Sequence, residues 1–256
     1  MPELTPIARF FAATDALLER VEHTWWGAVV TDPRFPDVDD VNYARVDLPQ
    51  PDLTMKDVED PLLPALRSSA ARHFHVVVFE PEGTPRLLED LQRAGHALSW
   101  DTVMEFRQPP HEEPAGHPVE EMRARDHELA SLLELLFREF GVVDGEIRRQ
   151  LLAWAIDVLA PGGRRWFGVR LDGRVVGMGS VQVRAGIGYV DDVLTMPEFR
   201  RRGVASAVVR RLVHEALGAG ARHVLLLTDR PDPVRLYRAL GFEEVGRVAS
   251  VLSRLT

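Results

Sequence analysis

The chain has 256 residues, 45% hydrophobic and 27% charged, a balance that supports one large domain or two of about 100–150 residues. Its formal net charge of −8 argues against a nucleic-acid partner, because phosphate binding needs a broad basic field. Cysteine is absent, which excludes disulfides, cysteine-based zinc sites and thiol nucleophiles, and no apolar run approaches the roughly 20 residues of a membrane span.

Residues 4–22 carry Leu4, Ile7, Phe10, Phe11, Leu17, Leu18 and Val21 at helical spacing and predict an amphipathic helix. This stretch lacks the basic and apolar regions of a signal peptide, so the expected compartment is the cytoplasm. Trp25–Val30 predicts a strand, and Asp32-Pro33 and Phe35-Pro36 then break the chain. Residues 41–46 alternate as a second strand. Residues 54–71 predict a helix whose regularity Pro61 and Pro64 limit. His75–Phe79 is a buried-type strand, Pro85–Ala94 a helix stopped at Gly95, and Ser99–Arg107 another strand. Residues 108–118, QPPHEEPAGHP, are rich in proline and poor in apolar residues. They suggest a first domain over 1–110, a linker over 111–118 and a second domain over 119–256.

The second half reads as strand Val119–Met122, helix Asp126–Phe140, helix Ile147–Leu159, then strands Arg165–Leu171 and Val175–Val183 around the turn signal Asp172-Gly173. Strand Gly188–Leu194, helix Val204–Leu217, strand His223–Thr228, helix Val234–Leu240 and strand Glu243–Leu252 follow. Early hairpins imply antiparallel pairing and late alternation implies parallel pairing, so the fold class is α/β with a mixed sheet.

One stretch carries the chemistry: Asp191 to Ala216, DDVLTMPEFRRRGVASAVVRRLVHEA. A strand ends at Met196-Pro197, a basic turn follows, and an amphipathic helix begins. Backbone N–H groups at a helix start are unpaired and partly positive, and they bind phosphate. Gly203 permits positive φ and close backbone approach. Ala205 keeps that approach open, and Arg200, Arg201 and Arg202 add charge against an acidic background. Together these suit a pyrophosphate. The spacing R-x-x-G-x-A is neither a P-loop nor the dinucleotide-binding G-x-G-x-x-G.

The string Val193–Ala205, VLTMPEFRRRGVA, resembles the GNAT superfamily of acyl-CoA-dependent N-acyltransferases, and Arg235–Phe242, RLYRALGF, resembles that family's tyrosine–GF segment. The resemblance covers roughly residues 119–256. It implies a GNAT-like, mainly antiparallel sheet flanked by helices. It also implies acetyl-CoA as co-substrate, with no metal. Val193, Leu194 and Thr195 would lie on the strand whose backbone pairs with the pantetheine amides. Arg200, Arg201, Arg202, Gly203, Val204, Ala205 and Ser206 would surround the pyrophosphate. Tyr237 would be the general acid that protonates the departing thiolate. Asp191 and Asp192 flank the strand, and one must face the cleft by alternation, which makes them candidates for the base. Glu139 is a weaker candidate.

Two family features are missing. Thr228–Pro233 holds no asparagine before the tyrosine, and the strand VLLLT lacks the acid that some members use as base. Leu91–His96 followed by SWDTVMEF echoes Leu236–Phe242 and its strand, which suggests two tandem units, the first a degenerate GNAT-like half without a cofactor site. Trp25, Trp26, Asn42 and Tyr43 are candidates for an acceptor pocket, although aromatic residues more often fill cores. His73 and His75 share a strand face without a partner that would make a metal site. The expected activity is transfer of an acetyl group to a primary amine of a small molecule or protein. A non-catalytic acyl-CoA-binding module and a dimerisation domain with a vestigial site are the alternatives. No nucleic-acid or membrane partner is expected, and a homodimer stays open.

Overall fold

The computed structural model describes residues 4–107 and 116–255. In chain order the elements are α1 (Pro6–Asp15), β1 (Arg20–His23), β2 (Gly27–Thr31), β3 (Tyr43–Val46), α2 (Met55–Ser68), β4 (His73–Val78), α3 (Pro85–Arg93) and β5 (Ser99–Phe106). Then come β6 (Val119–Met122), α4 (His127–Glu139), α5 (Gly145–Trp154), β7 (Arg165–Leu171), β8 (Arg174–Arg184), β9 (Ile187–Thr195), α6 (Val204–Gly218), β10 (His223–Thr228), α7 (Pro231–Ala239) and β11 (Phe242–Arg254). A π-helical turn, Ala155–Leu159, continues α5. Among the described residues no helix is long and apolar enough to cross a membrane.

The chain divides into two compact units, Met1–Thr102 with Gly246–Thr256, and Val103–Val245. The division falls inside β5 and again inside β11, not in the proline-rich stretch. Of the expected linker 111–118, residues 111–115 lie outside the described residues.

In the first unit β1, β2, β3, β4 and the latter part of β11 lie side by side. Pairing is antiparallel except between β3 and β4, where Ala44–Val46 runs parallel to Val76–Val78. The helix expected over 4–22 stops at Asp15. Leu17 and Leu18 donate back to the carbonyls of Thr14 and Asp15 in a turn. Leu18 and Val21 then pack on Ala28, Val30 and Tyr43 as part of a strand edge. Helical spacing there is overridden by pairing with β2. Helix α2 keeps Pro61 and Pro64 in its interior, and its start is fixed by a capping box between Thr54 and Asp57. Val58, Leu62 and Leu66 of α2, with Leu87 and Leu91 of α3, cover Val76 and Val78. Trp26 is buried there and donates Nε1–H to the Asp57 carbonyl.

Arg45 is buried among β-strand residues and is neutralised locally. Its guanidinium lies 2.9 Å from Asp15 and 3.0 Å from Asp47, while the Tyr43 hydroxyl donates to Asp15 at 2.9 Å. Burial pushes both carboxyl pKa values up, to about 6 each, against the lowering influence of Arg45. A carboxyl whose folded pKa is raised binds its proton more tightly in the native state. Its stabilisation is complete below the unfolded value and is lost as pH rises through the folded value. Asp47→Asn should therefore cost more stability at pH 5 than at pH 7, by about 1 kcal/mol. Urea denaturation at the two pH values checks this, and an equal cost at both would contradict it.

In the second unit the strand order is β5, β10, β9, β8, β7, β6, with β5 represented by Val103–Phe106. β9 and β10 are parallel, joined by α6, and the others from β9 to β6 are antiparallel. Successive residues face opposite sides. Phe167 and Val176 pack under α6, with its buried Val204, Val208, Val209 and Leu212, while Trp166, Val175 and Met178 pack under the leucines of α4. Helix α6 sits unusually close to the sheet because glycines face it. A Cβ on Gly177 would stand 2.5 Å from Val204, and one on Gly188 would stand 2.6 Å from Ala216. The first contact fixes the height of the α6 N-terminus over β8, and the second that of its C-terminal end over β9.

Candidate functional site

The site begins with an irregularity in β9. Opposite β8 the pairs are Gly177 with Thr195 and Met178 with Leu194, but Ser180 then faces Asp191. Only Gly179 lies between on β8, against Asp192 and Val193 on β9. One extra residue on β9 makes a bulge, and Asp192 adopts φ +55° within it. The strand end Val193–Thr195 is thereby turned along one wall of a cleft of about 990 Å³.

The charge of the bulge is held by Arg164, which follows the π turn and is buried. Its Nη1 donates to Asp191 at 3.0 Å and reaches Asp192 at 3.4 Å, while Trp166 Nε1–H donates to Asp192 at 3.0 Å. Burial raises the Asp192 pKa, and the adjacent Asp191 adds to this against the opposing pull of Arg164. Asp191 is the more open of the two, with 40% side-chain exposure against 14%.

A short turn, Pro197–Phe199, leads to the start of α6. Arg201 has φ +64° and Gly203 φ +79°, so the backbone rises in left-handed geometry just before the helix. Gly203 is the N-cap residue and supplies no side chain to the helix start, and its carbonyl accepts the first helical bond, from Ala207. The N–H groups of Val204, Ala205 and Ser206 thus have no helical partner. A Cβ on Gly203 would meet nothing within 4 Å, so the space above this turn is open. His117 Nε2 lies 2.8 Å from the Arg202 carbonyl and steadies the turn from outside.

Every predicted donor-site residue except Arg202 lines the cleft. The Arg202 guanidinium instead lies over the Phe199 ring, 5.4 Å from its centroid. Tyr237 lines it too, with its ring 5.8 Å from Phe242. Burial and then the Asp191 charge push the Tyr237 pKa up to about 12, so the phenol stays protonated at neutral pH. Glu139 is a lining residue, whereas Asp191 and Asp192 are not. Arg230, Arg235 and Phe140 complete the walls and were not singled out by sequence. Arg230 lies inside the segment Thr228–Pro233 that departs from the family pattern and Arg235 follows it, and nothing in their spacing flags them. Phe140 is held under Arg230, whose guanidinium is 5.2 Å from its ring centroid.

The aromatic candidates of the first unit are spent on structure. Trp26 and Tyr43 are buried and bonded as described, and Asn42 donates to the carbonyls of Phe35 and Val38. Trp25 is exposed. His75 Nδ1 is 3.0 Å from the Asp39 carbonyl and its ring lies against Tyr43.

Residues 129–242 match the family model described as Acetyltransferase (GNAT) family. The second unit carries a GNAT domain. Solved structures agree on the fold along nearly the whole chain. A GCN5-related N-acetyltransferase from Kribbella flavida aligns over 96% of this chain and 95% of its own, at 18% identity and a TM-score of 0.68. A functionally unknown conserved protein from Staphylococcus epidermidis ATCC 12228 aligns over 93% and 94%, at 12% identity and 0.72. A tandem GNAT protein from the clavulanic acid biosynthesis pathway aligns over 91% and 81%, at 16% identity and 0.55, which supports two GNAT-like units. No curated protein matches the sequence. The family and fold support acyl transfer as the general chemistry of the GNAT domain.

Removing the central cation tests the site's electrostatics. Arg164→Met leaves two adjacent carboxylates without their counter-charge and should cost about 3–5 kcal/mol at pH 7. The loss should shrink as pH falls below 7, because a carboxyl with a raised pKa takes up its proton sooner than a free one. Denaturant melts across this range check both the size and the sign.

Proposed function

We propose that the second unit transfers an acetyl group from acetyl-CoA to a primary amine of a small molecule or protein. The observation that carries this reading is the convergence, in one cleft, of the bulged strand end Val193–Thr195, the open helix start Gly203–Ser206 and the protonated Tyr237. The cleft volume falls within the range that holds ligands of this size, roughly 300–1,000 Å³. Unpaired N–H groups with Arg200 and Arg201 beside them suit a pyrophosphate. A strand edge left unpaired beyond Tyr189, where β10 no longer accompanies β9, suits the amides of an extended pantetheine.

The reaction needs a neutral amine. Its lone pair attacks the acetyl carbonyl carbon, the C–N bond forms, and the C–S bond then breaks. The proton lost by the nitrogen passes to a base, and the departing thiolate takes the Tyr237 hydroxyl proton, which solvent later restores. A phenol raised to about 12 is neutral and remains a donor throughout the physiological range. Asp191 is our choice for the proton acceptor, reached through water. It is the more exposed of the pair, and its charge is felt at Tyr237. Asp192 is committed to Trp166 and Arg164.

The second reading, a non-catalytic acyl-CoA-binding module, draws on one fact: Arg164 engages both carboxylates. Tyr237→Phe separates the two. With an acceptor found by thiol-release screening of amines, an enzyme should lose roughly 10²-fold in kcat while calorimetry shows unchanged acetyl-CoA affinity. A module would show binding and no turnover in any variant. Titration of the unmodified protein with acetyl-CoA comes first, and absence of binding at millimolar ligand would overturn both readings. Gly203→Glu, which sets a carboxylate at the helix start, should abolish that binding.

A further inference from the structure

Arg200 stands at the mouth of the cleft with its charge already engaged. Its Nη2 donates to Glu139 at 3.1 Å, and its Nε donates to the Thr195 carbonyl at 3.2 Å. Glu139 ends α4, Thr195 ends β9 and Arg200 precedes α6, and all three line the cleft. One guanidinium therefore ties the bulged strand to the helix on the opposite wall. It uses up a strand-end acceptor, Thr195 O, and a cation beside the helix start, both of which an extended phosphorylated ligand would want. The next residue, Phe140 at the C-cap of α4, lies under a second arginine of the cleft, Arg230.

We infer that Glu139 is an affinity-setting residue of the donor cleft: it is the internal counter-anion of Arg200, and the ligand's pyrophosphate must displace it. This rests on the reading of the cleft as the acetyl-CoA site and adds a residue with a defined role to it. A carboxylate and a phosphate compete for the same planar donor fork, and the phosphate, with more charge and more acceptor oxygens, wins. Exchange frees the Thr195 carbonyl and releases the end of α4 from the loop. Glu139 then acts on the cofactor, through Arg200, and not as the proton acceptor for the amine. The pair is half-exposed, so its effect is small, the size of a partly solvated ion pair.

The test is a double-mutant cycle read by calorimetry with coenzyme A itself, which needs no acceptor. Glu139→Gln keeps the shape and removes the competing charge, and it should tighten coenzyme A by about two- to fivefold. Arg200→Gln should weaken it. In the Arg200→Gln background, Glu139→Gln should have no further effect, because the competition runs through that arginine. An unchanged or weaker affinity for Glu139→Gln alone would overturn the inference. So would a gain that persists without Arg200, since it would report only the general repulsion between a carboxylate and a phosphate. If the unmodified protein binds no coenzyme A, the donor-site reading falls and takes this inference with it. If it binds and the cycle shows no coupling, only the role of Glu139 falls.

Discussion

The cleft depends on a single misfit in β9. Pairing of β9 with β10 ends at Tyr189, so the β10-facing edge of residues 191–195 is left unpaired, and an uninterrupted β8–β9 ladder would hold that edge straight. The extra residue at Asp192–Val193 breaks the ladder, and the break has to be held against re-zipping. A left-handed aspartate is an uncommon conformation, and burying its carboxylate next to another is costly. Arg164 and the Trp166 indole N–H make the arrangement tenable by supplying a cation and a donor at the same point. Asp191 then adds its charge to the effect of burial in keeping the Tyr237 phenol protonated. Strand geometry, buried charge and the protonation of the phenol are one coupled arrangement.

The helix start on the other wall is fixed by different physics. Its position follows from close packing, since Gly177 leaves no room for a side chain beneath Val204, the first residue of α6. Its polarity follows from the peptide dipoles and from a cap residue without a side chain. A chain with a net charge of −8 can thus present a locally positive helix start built largely from backbone groups. The arginines around it are individually tempered: Arg200 by Glu139, Arg202 by the Phe199 ring, Arg230 by Phe140. A carboxylate partner lowers the net charge near the cleft mouth, and an aromatic face leaves the full charge but fixes where it sits.

Much of this was legible in the sequence where local rules govern. Gly203 after three arginines marked a helix start, Pro197 marked the strand end, and Tyr237 before Gly241-Phe242 marked the helix that brings a phenol to the cleft. Gly95 and Gly241, singled out as helix stops in the two echoing segments, have φ +92° and +93°, so that echo extends to backbone geometry. What could not be read depends on contacts distant in sequence. Arg164 follows a Pro-Gly-Gly turn and looks like an ordinary surface arginine until β9 brings Asp191 and Asp192 to it. Residues 17–22 keep helical spacing, yet Leu18 and Val21 are claimed by Ala28, Val30 and Tyr43. The bulge has no composition of its own.

The compact units also obey a rule the sequence does not display. Proline-rich composition marks where a chain can be extended, not where contacts divide. Here the division lies within two strands, β5 leaving the first unit and β11 returning to it. A strand that belongs at its two ends to different units is continuous in its backbone, and its extended run of residues carries no turn signal where the unit changes. Ala249 and Val251 of β11 belong to the core with Val76 and Leu87, while Phe242 of the same strand belongs to the core with Tyr237. The phenol of the cleft is thus packed at one end of a strand whose other end is core of the first unit. Cutting the chain at residue 118 would deprive β11 of β4, its antiparallel partner from Ala249 to Arg254, and expose Ala249 and Val251. Residues 249–254 of β11 are therefore part of the first unit, although they lie at the far end of the sequence from the rest of it.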